Sequence, residues 1–369
     1  LSTRPTLIFV VAESVNALGG APKSTRLLCE GLAEIGVRVR LFVRSRPDSA
    51  SLESLARRGV SVVTPAFARG SRWELPQKLL ATRVVLEARL QNPHHIISVG
   101  LISEARNILR LRSTAPVSLW ETTEALPHVK FVDKRIAGLL SRAAEILVPS
   151  ETIERNVRMT YGYQGMIRRL PFWVAPPPRE PTLGQTRSKR FVFLGRLDLD
   201  KGFQFLFEAF REVRQVHPSA SLAICGTGQL EAVRKLAEGD PAISFLGHVQ
   251  ESDFGRIFSD CDAVVLPSLH EGYPLSLLDA CGRGRPIIAT TVGSIPEVFG
   301  GRACAILVPP RDSKGLASAM NQLLDDDDVT YRARGADALQ LFEEISSPQA
   351  IHERLATLFL TPPSGFQRT

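Results

Sequence analysis

Short, almost uninterrupted apolar runs recur along the whole chain, each followed by a longer stretch in which apolar and polar positions alternate at helical spacing. Runs of four to seven residues without polar interruption are too short for helices and read as strands buried on both faces of a parallel sheet. In the first half they predict strands at 7–12, 37–43, 60–63, 95–99, 117–120 and 146–148, with helices at 21–35, 75–90 and 105–111. In the second half they predict strands at 191–194, 221–225, 243–246, 263–266, 287–289 and 305–308. Helices are expected there near 202–216, 229–237, 251–259, 274–282, 312–324 and 328–343, and a last one over 348–360. Strand–helix alternation of this kind is the signature of α/β architecture. Between the two sets, residues 175–186 carry four prolines and few apolar side chains, which reads as a linker.

The expected organisation is therefore two α/β domains: 1–175 joined by a C-terminal helix within 345–369, a linker at 176–188, and 189–344. A length of 369 residues fits two cores better than one. Ligands of open parallel sheets bind at the carboxyl ends of the strands, so a cleft between the two domains is the expected place for chemistry.

Composition narrows the function classes. Apolar content of 44% with a mean hydropathy of +0.02 describes a water-soluble globular chain, and no apolar run approaches the roughly 18–20 residues of a membrane span. The run from Leu7 ends at Glu13, which makes it a first strand rather than a signal peptide. The five cysteines, at 29, 225, 261, 281 and 304, are scattered and form no CxxC pair, so reduced core thiols and a cytoplasmic location are expected. Seven histidines show no metal-ligand spacing, and His94-His95 reads as local packing. The net charge of +7 is uneven: residues 1–180 hold 26 Lys and Arg against 15 Asp and Glu, leaving 19 against 23 for the rest. A basic first half suits an anionic membrane surface or an anionic acceptor. Nucleic acid is not expected as a partner, because aromatics are sparse there and no aromatic–basic stripe is present.

The segment after the apolar run 262–267 carries the strongest chemical signal: Glu271-Gly272-Tyr273-Pro274-Leu275, then Asp279, at the opening of a helix. Backbone N–H groups and the dipole at a helix start suit a phosphate, Pro274 fits the first turn, and a carboxylate accepts hydrogen bonds from sugar hydroxyls. An ordinary strand–loop–helix connection with two surface acids accounts for this segment equally well. A second signal is Gly195-Arg196, just past a strand end, followed by Lys201-Gly202 at the start of the next helix. Two cations there can neutralise a diphosphate, although solvated charges at a loop are the commoner fate of any one Lys or Arg. Gly226-Thr227-Gly228 lacks the third glycine of a dinucleotide fingerprint, since position 231 is Glu. Gly19-Gly20 is a tight turn that permits close backbone approach to a ligand; the P-loop pattern fails because residues 17 and 22 are Ala and Pro. The four acids Asp325–Asp328 read as a solvated loop.

In order along the chain, Gly19-Gly20-Ala21, Gly195-Arg196-Leu197 with Lys201-Gly202, Gly226-Thr227-Gly228, Gly247-His248, Glu271-Gly272 and Gly293-Ser294-Ile295-Pro296-Glu297 resemble the retaining GT-B glycosyltransferases of family 4. The resemblance is strongest from 190 to 300. It implies two Rossmann-like domains facing a central cleft, with the C-terminal helix crossing back to the first, and a nucleotide-diphosphate sugar such as a UDP- or GDP-sugar held mainly by the second. By position it implies that Arg196 and Lys201 bind the diphosphate and Glu271 contacts the donor sugar. Gly195, Gly226, Gly272, Tyr273, Pro274 and Leu275 would line the donor pocket, with Gly247 and His248 near the base, Asp279 on the ribose, and Gly19 and Gly20 facing the phosphates.

Three departures stand out. The second acid of the family pair is Asp279 rather than Glu, which shortens its reach by roughly 1.5 Å. A histidine common after one N-terminal strand is replaced by Trp120, which leaves the acceptor-side role to Glu121, Glu124 or His128, or to none. A Pro-Asn-Gly element is replaced by Pro171-Phe172-Trp173, whose aromatics either touch an acceptor or pack.

The resemblance implies retaining sugar transfer to a hydroxyl acceptor, with Arg196 and Lys201 doing the work of a metal and no cofactor, while the basic first half suggests a lipid-linked or cell-surface glycan at the inner membrane face as acceptor. The alternative is a catalytically inactive, nucleotide-binding partner subunit. A nicotinamide oxidoreductase is disfavoured by the incomplete fingerprint.

Overall fold

In the computed structural model, residues 6–15, 20–64, 77–100, 104–111, 113–121, 134–177 and 187–360 are described. The chain divides into two compact units: Leu1–Trp173 with Pro348–Thr369, and Val174–Ser347. Residues 178–186, most of the expected linker, lie outside the described residues, as do Gly19, Glu124 and His128.

The first unit runs β1 (Leu7–Ala12), α1 (Gly20–Glu34), β2 (Arg38–Val43), α2 (Ser49–Arg57), β3 (Ser61–Val63), α3 (Gln77–Gln91), β4 (His95–Val99), α4 (Glu104–Leu111), β5 (Val117–Trp120), α5 (Lys134–Leu140), β6 (Glu145–Val148), α6 (Glu151–Tyr161) and β7 (Ile167–Arg169). Its sheet is parallel in the order β3-β2-β1-β4-β5-β6-β7. β1 is buried along its whole length, as a central parallel strand covered on both faces must be. The chain returns to this unit after Ser347.

The second unit runs β8 (Arg190–Leu194), α7 (Phe203–Val216), β9 (Ser221–Cys225), α8 (Leu230–Leu236), β10 (Ile243–Gly247), α9 (Phe254–Ser259), β11 (Ala263–Leu266), α10 (Leu275–Cys281), β12 (Ile287–Thr290), α11 (Ile295–Phe299), β13 (Ala305–Val308), α12 (Ser313–Asp325) and α13 (Asp328–Ser346). Its parallel sheet has the order β10-β9-β8-β11-β12-β13, so strand order reverses between β8 and β11. Both sheets are the doubly wound, Rossmann-like kind that binds ligands where the order reverses.

Within the first unit the last helix, α14 (Pro348–Phe359), packs on α1. Gly31 makes that contact possible: a Cβ there would meet Leu355 at 2.8 Å. Arg168 Nη1 donates to the Leu358 carbonyl at 3.0 Å and fixes the end of α14 to the sheet.

Several sequence expectations are corrected. Lys201 does not begin a helix; it ends a single 3₁₀ turn, Leu199–Lys201, and α7 starts at Phe203. Pro274 precedes α10 rather than sitting in its first turn. Of the acids 325–328, Asp325, Asp327 and Asp328 are exposed as expected, but Asp326 is half-buried, and Asp325 ends α12 while Asp328 opens α13. Asp326 holds Arg334 at 2.6 Å, Asp327 caps α13 by accepting from the Thr330 N–H at 2.8 Å, and Asp325 faces His217 at 3.3 Å. Helix capping and one buried ion pair use the charges that the sequence pattern assigned to water. All five cysteines are buried and free, as expected.

Candidate functional site

Of the loops that leave the carboxyl edge of the second unit's sheet, those after β10, β9, β8, β11 and β12 carry most of the candidate donor residues. The loop after β8 places Arg196 and Lys201. Its turn is anchored by the Lys201 N–H on the Asp198 carbonyl at 2.9 Å and closes on Gly202, whose φ of +73° suits glycine. No side chain fits at Gly202, because a Cβ there would lie 2.1 Å from the Pro267 carbonyl oxygen. The loop after β11 is bound to that turn by the Leu269 N–H donating to the Asp200 carbonyl at 2.8 Å.

These two loops bring Lys201 and Glu271 together. Lys201 Nζ stands 2.6 Å from Glu271 Oε2, with 12% and 15% of the two side chains exposed. An ion pair this close and this dry is held by its surroundings rather than by chance contact of two mobile side chains. Arg196 is different: its side chain is 69% exposed and pairs with Asp198 at 2.8 Å. It is a reachable cation at the rim.

The loop after β12 supports Glu271 from behind. Gly293, at φ +54°, lies so close that a Cβ would fall 1.5 Å from the Glu271 carbonyl oxygen. The Ser294 N–H donates to the Gly272 carbonyl at 3.3 Å, and Thr290 Oγ1 donates to the Ser268 carbonyl at 2.6 Å. Sequence reasoning singled out Gly293-Ser294 only as part of a motif and missed this supporting role.

Gly226 and Gly228, at φ +148° and +141°, let the β9 loop press against the backbone at Gly195 and Leu197. The Gly226 N–H donates to the Gly247 carbonyl at 2.7 Å, which links the glycines after β9 and β10. His248 is exposed next to them. Tyr273 is buried just ahead of α10, and Leu275 opens the helix.

Asp279 is buried on α10. Arg283, one turn later, donates from Nη1 to the Asp279 carbonyl at 2.8 Å and sets its guanidinium 3.7 Å from Asp279 Oδ1. That guanidinium lies over the rings of Phe254 and Phe258 at 5.3 and 5.2 Å. Burial holds Arg283 below the ordinary guanidinium value, against the pull of Asp279 and Glu251. Nothing in the sequence pattern pointed to Arg283, because its partners come from α9.

In the first unit, Gly20 opens α1 and is exposed, and Glu121 is buried at the end of β5. Burial first, and then the Glu121 carboxylate, push the Tyr161 hydroxyl up to about 12. Trp120 is fully buried, edge-on to Phe172 at 5.0 Å and stacked on Trp173 at 6.4 Å. The aromatics of residues 172–173 are thus core. Among the described residues no cluster of three or more His, Cys, Asp or Glu is placed to hold a metal ion.

Residues 188–326 match the family described as glycosyl transferases group 1. A glycogen synthase from Mycobacterium tuberculosis is 27% identical over 186 residues, which are 49% of this chain and 44% of that protein. A D-inositol 3-phosphate glycosyltransferase from Corynebacterium jeikeium is 31% identical over 193 residues, 48% of this chain and 45% of that protein. The chain thus spans less than half the length of these relatives. Two solved structures share the fold over 96% of this chain. Sucrose-phosphate synthase from Thermosynechococcus elongatus has a TM-score of 0.77 at 18% identity and is covered to 98%. Anabaena HepE in complex with UDP and glucose has a TM-score of 0.77 at 15% identity and is covered to 99%. The likeness places the fold in the GT-B class.

Proposed function

We propose that this chain, whose residues 188–326 match the group 1 glycosyl transferases, moves a sugar from a nucleotide-diphosphate sugar to a hydroxyl acceptor with retention of configuration. The observation that carries this reading is the Lys201–Glu271 pair, held by three interlocked loops where strand order reverses. A cation and a carboxylate side by side match the two ends of a donor: phosphate oxygens for Lys201 and sugar hydroxyls for Glu271. In this mechanism the bond from C1 to the diphosphate breaks while the acceptor oxygen joins C1 on the same face. The acceptor proton passes to the departing diphosphate oxygen. Lys201 and the exposed Arg196 stabilise the charge that develops on that oxygen, so the reading needs no metal or other cofactor. Asp279 takes the ribose hydroxyls, Gly195, Gly272 and Gly247 border the donor, and Gly226 lets the β9 loop close against Gly195 beside it. HepE, in complex with UDP and glucose, supports a UDP-sugar as the first donor to test. The basic first half supports an anionic or lipid-linked glycan as acceptor.

The test is turnover of a panel of UDP- and GDP-sugars by the full chain. Lys201→Ala is expected to lower kcat by about a hundredfold or more, because it removes charge stabilisation of the leaving group, in a protein that circular dichroism shows still folded at the assay temperature. Near-normal turnover by the variant sinks the assignment. A second reading, a nucleotide-binding subunit without catalysis, is favoured by one observation: Trp120 is fully buried and presents no exposed side chain at the end of β5. Thermal stabilisation by the nucleotide without turnover of any donor would select it.

A further inference from the structure

Helix α3 is apolar on two sides. Leu80, Ala81, Val84, Val85 and Ala88 are buried. Leu79, Leu86 and Leu90 face outward, 56%, 52% and 84% exposed. With Arg83 they occupy positions i, i+4, i+7 and i+11, so all four side chains share one stripe. The stripe runs about 16 Å along the helix. A single exposed leucine is ordinary, but a continuous stripe opposite a packed face marks a second covered surface.

The charges around it are one-sided. Lys78 and Arg89 border the stripe and are exposed. Glu87, on the other border, is neutralised by Arg83 at 3.1 Å and Arg40 at 2.8 Å. Helix α4 packs beside α3 and ends on exposed Arg110 and Leu111. Among the described residues neither Lys78 nor Arg89 meets a carboxylate, and leucines edged by such cations fit an interface that is apolar below and anionic above.

We propose that α3 lies flat on an anionic lipid surface, its leucines at the headgroup–acyl boundary and Lys78 and Arg89 among the phosphates. The rival occupant is a second copy of the chain. Laying α3 on its own copy would gather the Lys78 and Arg89 cations of both copies along one dry seam, which disfavours that pairing. The proposal deepens the reading of a membrane-borne acceptor and rests on it for the acceptor's location only.

The test is co-sedimentation of the full chain with vesicles of phosphatidylcholine, with and without one-third phosphatidylglycerol. The wild-type chain is expected on the anionic vesicles alone, with binding that weakens as salt rises. The triple variant Leu79→Gln, Leu86→Gln, Leu90→Gln is expected to partition about tenfold less, since three leucines no longer leave water. The double variant Lys78→Gln, Arg89→Gln, which leaves every leucine in place, is expected to lose several-fold. Absence of wild-type binding, or unchanged binding by both variants, overturns the proposal. So does a wild-type dimer, seen by sedimentation velocity, that the triple variant dissolves. Donor turnover on a soluble acceptor separates the two ideas: it stays normal in both variants if docking alone is lost. Vesicle binding by a chain that turns over no donor refutes the enzyme reading and leaves the docking surface standing.

Discussion

Arg283 holds Asp279 from the turn just past the end of α10 while its own guanidinium is fixed over two phenylalanine rings. A shortened acid that must meet a ribose gains from such a partner, because a buried carboxylate next to a fixed cation keeps both its charge and its direction. Arg283→Gln is therefore expected to weaken a nucleoside diphosphate about fivefold to tenfold, the loss of one charge-assisted contact. The same nucleotide without its 2′- and 3′-hydroxyls is expected to bind both proteins alike. Inhibition constants for the two nucleotides check this, and equal weakening of both rules out a role through the ribose acid. At this scale the sequence singled out Lys201 and Glu271, each beside a glycine in a loop that follows a strand, and the fold brings the two side chains together. The sequence hid Arg283, whose environment comes from Phe254 and Phe258 more than twenty residues earlier. It also misplaced Asp326, whose partner Arg334 lies two turns into the next helix.

Interlocking of the loops after β8, β11 and β12 is a property of elements, and glycines set its tolerance. Gly293→Ala must push the Glu271 carbonyl away from a contact that would otherwise be 1.5 Å. Displacement of about 1 Å at a reacting group can cost a hundredfold in rate. The expected result is a kcat/KM lower by about that factor, with loss of folding stability near 1–2 kcal/mol from the positive φ. Gly239→Ala is the control: its φ is +73°, but nothing lies within 4 Å of the added carbon. It bears the backbone strain without touching the site. Urea midpoints and donor turnover on both variants decide the matter, and equal activities would refute the positioning role of Gly293. The strands were legible because a short, continuous apolar run flanked by turn residues suits a doubly covered parallel strand and little else. Helices α5 and α6 were not predicted, although α6 buries Ile153, Val157 and Tyr161 at helical spacing, and helices α2 and α11 and strand β7 were not legible. In α2 the buried residues are Ser51 and Leu55, α11 has five residues including Pro296, and β7 is Ile-Arg-Arg. None carries a hydrophobic period long enough to register.

The whole molecule leaves its first unit at Trp173 and returns at Pro348, so that unit depends on the end of the chain. A buried polar network anchors the return. Glu145 accepts from Arg168 Nη2 at 2.6 Å and from Ser118 Oγ at 2.7 Å, while Arg168 also reaches the Leu358 carbonyl and the Phe359 ring packs edge-on to His95 at 5.9 Å. With Ser118 donating to Glu145, the neutral His95 ring donates to Ser118 from Nε2. Burial drives His95 down to about 4, with Glu145 opposing and Arg168 assisting. Burial works to raise Glu145, but the hydrogen bonds from Arg168 and Ser118 outweigh it and hold the carboxyl below its usual range. Both groups therefore bind protons more readily in the unfolded chain. The histidine contribution is whole above about 6.5, the unfolded value, and is lost as pH falls toward about 4. The carboxylate contribution begins to fade only below the ordinary glutamate range. Acid is thus expected to destabilise the first unit, by up to about 1.4 kcal/mol per pH unit from His95 alone. All three tryptophans, 73, 120 and 173, belong to that unit, so indole fluorescence reports its unfolding separately from the second. Urea midpoints followed this way should fall between pH 6.5 and 4 in the wild-type chain and fall less steeply in His95→Gln, which keeps a donor for Ser118 without the titration. Parallel curves for the two proteins would show that the histidine is protonated in the fold and that the neutral network does not hold the last helix.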